Sequence, residues 1–349
     1  MSDLYKKIIK SIDPDITLKQ DEKVDFISTG VFTLNLLFGG SIRNGIPVGK
    51  VSMMAAPPQL GKSLIGLILA KNAQKKGLFV VPIITEKSFN FDVAKSIGLD
   101  ISEKKMAPPI VSNSIEEITH TIVKMTDGLT KAERRELFFL FDSWGTLVDS
   151  KTMGDALEGK DVANMAESKK FNKLAKIILN TDSTFFIINH VYANIGGYGD
   201  PYAIPGGTKV IFACDCVVMG SSKAKSVDED DELNGAIVSC KTVKSRFSRE
   251  RRALKFKIKW DTGPSKFFGL LDEALEGKYI VKPKGGCYVR PCVENDKEWK
   301  EHEMVTADFW FPIFKNTDFE QYLENKFSFK NTEFELSTEE ELEVKPQVK

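Results

Sequence analysis

One octapeptide limits this chain more than any other feature: Ala56-Pro57-Pro58-Gln59-Leu60-Gly61-Lys62-Ser63. It follows Lys50–Ala55, a short apolar run of strand character, and opens the helix-patterned stretch Leu64–Gln74. A loop ending in Gly-Lys-Ser at a helix start is a phosphate cradle, because backbone N–H groups and the helix N-terminus face the phosphate oxygens. Gly61 allows close backbone approach. Lys62 reaches the β- and γ-phosphates, and the Ser63 hydroxyl is a ligand for Mg²⁺. Ala56 stands where this pattern usually has its first glycine, and an alanine there would be strained if the position required a positive φ. Ala56 through Leu64 are therefore the expected contacts to ATP, with Mg²⁺ as its companion.

The apolar runs around this loop predict the sheet that carries it. Leu78–Thr85, Leu137–Phe141, Thr184–Asn189 and Cys214–Met219 have strand length, and Ile115–Leu129 is patterned as a helix. Apolar strands alternating with helices predict an α/β fold with a mostly parallel sheet covered on both faces. Ligands of such sheets sit at the carboxyl ends of the strands. Two carboxylates fall there. Phe138–Phe141 delivers Asp142, placed to hold the Mg²⁺ shell. Glu86 follows Leu78–Thr85, where it can polarise an attacking water, although a glutamate after a strand is ordinary on its own.

Charge is segregated although Lys+Arg and Asp+Glu both number 49. Between Lys241 and Lys259 nine basic residues face Glu250 alone. Asp228–Glu232 is five acidic residues running, expected at a hairpin tip. Beyond Asn331 six glutamates meet only Lys345 and Lys349, a composition expected of an acidic tail. Leu4, Tyr5, Ile8, Ile9 and Ile12 form a short helical stripe ended by Pro14, to be packed on its own domain or on a neighbouring subunit. Five cysteines are too few for a disulfide scaffold, and Cys214 and Cys216 lack a second Cys/His pair to complete a zinc site. No stretch has the ~18 uncharged apolar residues of a membrane span. No apolar leader is evident either, so a cytoplasmic protein is expected.

The ordered series Ile27-Ser28-Thr29-Gly30, the phosphate loop, Glu86, Phe141-Asp142-Ser143, Ile188-Asn189-His190, Pro205-Gly206-Gly207-Thr208 and Lys244-Ser245-Arg246 resembles the RecA family of recombinases. Gly269-Leu270-Leu271-Asp272-Glu273-Ala274-Leu275, Val281-Lys282-Pro283-Lys284, Phe309-Trp310 and the acidic tail look like the UvsX-type subgroup of tailed phages. The resemblance spans about residues 1–330. It implies a RecA-type P-loop ATPase core at 27–265, an N-terminal polymerisation arm at 1–26, a small C-terminal α/β domain at 266–330 and the acidic tail at 331–349.

The resemblance also implies roles. Glu86 is similar to the general base of ATP hydrolysis, His190 to the γ-phosphate sensor, and Lys244 and Arg246 to a pair that reaches the ATP of the adjacent subunit. An aromatic residue that stacks on adenine in the family is Val93 here, so Phe89 or Phe91 is the alternative. Ser150–Glu167 and the Gly-rich Val191–Pro205 correspond to loops that hold single-stranded DNA, with Lys160, Tyr192, Tyr198, Gly206, Gly207 and Lys209 as expected contacts. The implied protein is a DNA-dependent ATPase that forms a helical homo-oligomeric filament on single-stranded DNA. It would pair that strand with homologous duplex DNA, served by single-strand-binding and mediator proteins. The alternatives are a hexameric helicase on the same core, for whose usual N-terminal domain 26 residues leave no room, and an ATP-binding mediator, against which Glu86 argues.

Overall fold

The computed structural model describes residues 24–86, 89–150, 152, 164–193, 202–205, 207–227, 233–283 and 286–329, with backbone alone at 164–168, 207–209, 222–223, 225–227 and 233. The predicted N-terminal helix, the Asp228–Glu232 run and the acidic tail lie outside these residues.

Strand β1 (Phe26–Ile27) pairs with β2 (Ile46–Pro47), bracketing helix α1 (Phe32–Gly39). Then β3 (Val51–Ala55) leads through the phosphate loop into α2 (Lys62–Lys75), and β4 (Phe79–Ile84) into α3 (Phe91–Ser96). Next come β5 (Ile110–Val111), α4 (Ile115–Thr126), α5 (Lys131–Arg135) and β6 (Leu137–Asp142). Helix α6 (Asn164–Asn180) precedes β7 (Thr184–Asn189), and β8 (Tyr192–Ala193) pairs with β9 (Tyr202–Ala203) ahead of α7 (Gly207–Ala213). The chain continues as β10 (Cys216–Val227), β11 (Leu233–Ser245), β12 (Ala253–Lys259) and β13 (Gly263–Pro264). It closes with α8 (Leu270–Glu276), α9 (Ala307–Asn316) and α10 (Phe319–Phe327).

Among the described residues nine strands form one sheet in the order β13-β12-β11-β10-β3-β7-β6-β4-β5. The pairs from β10 to β5 are parallel, and β10 to β13 are antiparallel. Side chains alternate across each central strand. Phe138, Leu140, Phe186 and Ile188 enter the core on one face, and Phe139, Phe141, Phe185 and Ile187 the core on the other. Each fully buried aromatic of this kind contributes about 1.5–3 kcal/mol relative to exposure.

Three sequence expectations change in extent. The strand expected at Cys214–Met219 begins at Cys216 and runs on to Val227, because β11 pairs with its outer half. The basic run 241–259 is the end of one strand and the whole of the next, so its charges point to both faces. In β12, Leu254, Phe256 and Ile258 are buried while Lys255, Lys257 and Lys259 face outward. Residues 164–167, expected to lie in the Ser150–Glu167 loop, are the first turn of α6.

In the C-terminal segment β structure among the described residues is limited to isolated bridges, Val281 with Val289, Tyr288 with Trp299, and Ser328 with Ser248 of the core. Phe309, Trp310 and Phe319 bury into the core that also holds Leu34, Phe38 and Phe256. The segment thus braces the face of the sheet on which α1 and α2 pack.

Candidate nucleotide site

The phosphate loop leaves the carboxyl end of β3, between β10 and β7, where the chain must cross over the sheet to reach β4. Positive φ falls at Gln59 (60°) and Gly61 (72°), not at Ala56. The strain expected for an alanine at position 56 is therefore absent. Room for its methyl comes from β10: a Cβ on Gly220 would lie 2.8 Å from Ala56 Cβ. Gly61 caps α2 in the left-handed region, and a Cβ there would meet Ile258 Cδ1 at 2.1 Å. A left-handed alanine costs about 1–2 kcal/mol before that clash. Gly61→Ala is therefore expected to weaken ATP binding by about tenfold or more in a fluorescent-nucleotide titration.

Lys62 is buried at the start of α2, and its Nζ donates to the Ala56 and Pro57 carbonyls at 2.9 and 2.8 Å. Burial pulls its ammonium below the ordinary lysine value, while the Asp142 and Glu86 carboxylates hold it up. Ser63 donates to Asp142 at the end of β6, a carboxylate only 9% exposed. Burial raises the Asp142 carboxyl, opposed by the Ser63 hydrogen bond and helped by the Glu86 charge. A buried carboxylate beside an exposed hydroxyl at a phosphate loop is a hard oxygen donor set, which fits Mg²⁺ with retained waters.

Glu86 stands just beyond β4. Its Oε1 lies 2.7 Å from His190 Nε2 and accepts from Ser143 Oγ at 2.8 Å. Burial pushes the Glu86 carboxyl up, but those two hydrogen bonds and the Lys62 charge bring it below the ordinary glutamate value. His190 follows β7, and its backbone N–H donates to Asn189 Oδ1 at 2.9 Å. Asn189, wholly buried, also donates Nδ2 to the Pro205 carbonyl at 3.2 Å, tying the base of the Gly-rich segment to β7. The β8–β9 pair closes that base, with Tyr192 56% exposed and Tyr202 half-buried.

Lys62, Ser63, Asp142, Glu86 and His190 are thus brought together. Lys244 and Arg246 are not: register sets Lys244 opposite Val217, level with Met53 in the middle of β3, and Arg246, just beyond β11, bonds through its backbone to Asp215, level with Val51 at the amino end of β3. Lys244 Nζ donates to the Ile211, Phe212 and Cys214 carbonyls at the end of α7, and Arg246 Nη1 pairs with Asp215 Oδ1 at 2.9 Å. Val93 is exposed on α3, next to Phe91 (44% exposed), which packs edge-on against Phe89. Gly207 and Lys209 lie in α7, whereas Lys160, Tyr198 and Gly206 lie outside the described residues. A separate cleft of about 760 Å³ between the β11–β12 face and the C-terminal segment, lined by Lys255, Lys257, Phe267, Glu301 and Trp310, holds none of these groups. Sequence reasoning gave no role to Ser143, Asn189 or Asp215. The only sequence signal for Ser143 is its place directly after Asp142.

The RecA N-terminal domain family matches residues 6–265, and the C-terminal domain family of the bacteriophage T4 recombination and repair protein matches residues 267–323. The chain is 27% identical over 347 residues to the recombination and repair protein of Enterobacteria phage T4, covering 94% of this chain and 86% of that one. It is 27% identical over 262 residues to Protein RecA of Rhodopirellula baltica, with 74% and 66% of the two chains covered. For Protein RecA of a Sulfurovum species the identity is 26% over 294 residues, with 82% and 80% covered.

Proposed function

The chain belongs to the RecA family, and we propose that it is a DNA-dependent ATPase that polymerises on single-stranded DNA and exchanges strands in recombination and repair. One observation carries the reading. A phosphate loop, the exposed Ser63 hydroxyl bonded to the buried Asp142 carboxylate, and a carboxylate held by His190 converge at the carboxyl ends of neighbouring parallel strands. Glu86 is ionised and reachable by solvent, so it can accept a proton from water attacking the γ-phosphate. Lys62 exchanges its two carbonyl partners for phosphate oxygens. Ser63 and Asp142 are the residues that would hold Mg²⁺, which would supply charge neutralisation of the phosphates. His190 joins the γ-phosphate end of the site to the segment after β7, which coordinates hydrolysis with DNA occupancy.

In this reading residues 1–26 form the polymerisation arm, 27–265 the ATPase core and 266–330 a C-terminal domain, with an acidic tail beyond. Tyr192, Tyr198, Gly206, Gly207, Lys160 and Lys209 are its contacts to single-stranded DNA, and homologous duplex is the second substrate. Single-strand-binding and mediator proteins are its partners in the cytoplasm. Among the described residues no helix is long and apolar enough to cross a membrane.

The test is ATP hydrolysis with and without single-stranded DNA at low and high salt, with electron microscopy of the same samples. DNA-stimulated turnover that falls steeply with salt, together with helical filaments, is expected. DNA-independent turnover or closed rings would replace the recombinase by a helicase or a regulator.

A further inference from the structure

We propose that Ser143 is a positioning residue for Glu86, fixing which carboxylate oxygen is left free to meet the attacking water. The proposal rests on the reading of Glu86 as the base. Among the described residues every hydrogen bond to the Glu86 carboxylate goes to one atom, Oε1, which takes both Ser143 Oγ and His190 Nε2. A carboxylate held at one oxygen by two partners cannot spin freely, and Oε2 stays turned away from them.

Ser143 itself is well fixed. It is wholly buried, its N–H donates to Thr85 Oγ1 at 2.8 Å, and Thr85 Oγ1 is 2.9 Å from the Ser143 carbonyl. Thr146 Oγ1 donates to the same carbonyl at 3.1 Å. Thr85 directly precedes Glu86, so one clasp between the ends of β4 and β6 sets both the backbone that carries the base and the hydroxyl that aims it. A buried hydroxyl needs a partner, and a carboxylate is the strongest acceptor within its reach. His190 lies at the edge of the Gly-rich segment, where it can exchange partners, whereas Ser143 is buried behind Glu86. The constant half of the pair is therefore the serine. No bond forms or breaks at Ser143 in this role.

Ser143→Ala keeps the backbone clasp and removes only the hydroxyl. Turnover is expected to fall about 10- to 100-fold, since small misplacements of a reacting group cost on that order. KM for ATP and nucleotide affinity should stay within about twofold, because uniform binding is untouched. Ser143→Cys, nearly isosteric with a weaker donor, should fall between. The decisive measurement is single-turnover hydrolysis of Ser143→Ala in a Glu86→Gln background. If the serine acts through Glu86, the double variant loses no more than Glu86→Gln alone. An equal further loss in that background, a matching loss of nucleotide affinity, or wild-type turnover in Ser143→Ala would each overturn the proposal. Absence of turnover in the wild-type chain would instead remove the ATPase reading, and this inference with it.

Discussion

Glu86→Gln is expected to lower ATP turnover about 10²- to 10⁴-fold, the range for loss of a positioned general base. The substitution is isosteric, and the amide oxygen can still accept from Ser143 Oγ and lie against His190 Nε2. What disappears is the ability to take a proton. Nucleotide binding should persist, because Lys62, Ser63 and the loop backbone are unchanged, and filaments should form and then fail to turn over. The direction of the Glu86 pKa gives a second reading of the same experiment. Burial is the largest single influence and raises it, but the His190 and Ser143 hydrogen bonds with the His190 and Lys62 charges together outweigh it and bring it below the ordinary value. The wild-type base is therefore ionised throughout the neutral range, and its contribution fades only as pH falls through that lowered value. Steady-state turnover with and without single-stranded DNA, beside a nucleotide titration of the same variant, checks both. Wild-type turnover in Glu86→Gln would assign the base elsewhere.

The central strands and the phosphate loop were legible for one reason. Strands buried on both faces read as near-continuous apolar runs, and β3, β4, β6 and β7 are such strands. Helices α1 and α6 were not legible, for opposite reasons. Helix α1 is buried at seven of its eight positions, so no polar face gives it a period. Helix α6 starts inside a polar stretch that reads as loop until Phe171 and Leu174 pack inward. In the site, motif order located each charged group but not its partner. Ser143 and Glu86 are 57 residues apart, and His190 and Glu86 are 104 apart. Only the parallel pairing of β4, β6 and β7 sets those ends side by side. Gly220 is a further case, since its missing Cβ answers an alanine in another strand's loop.

Arg246→Ala is expected to cost about 10³-fold or more in DNA-stimulated turnover, the scale of a lost arginine finger, although Arg246 touches nothing in its own phosphate site. It lies level with the amino end of β3, and the loop leaves the other end, about 16 Å along a five-residue strand. Its side chain is 62% exposed. For a cation in that position to meet ATP, the ATP would have to sit on a neighbouring subunit, as a heterologous interface repeating into an open polymer would arrange. Lys244 is the poorer probe: its Nζ already holds three carbonyls at the end of α7, so Lys244→Ala would loosen that helix as well. Removing Arg246 releases Asp215, which keeps the Val51 N–H as a partner at 3.1 Å, and a melting curve controls for that loss. Mixing separates the two geometries. Arg246→Ala and Glu86→Gln subunits are each inactive alone. Combined in equal amounts, they leave about a quarter of interfaces with Glu86 from one subunit and Arg246 from the next. Turnover should then reappear at about that fraction of wild type. A mixture as inactive as its components would place Arg246 outside the neighbour's site.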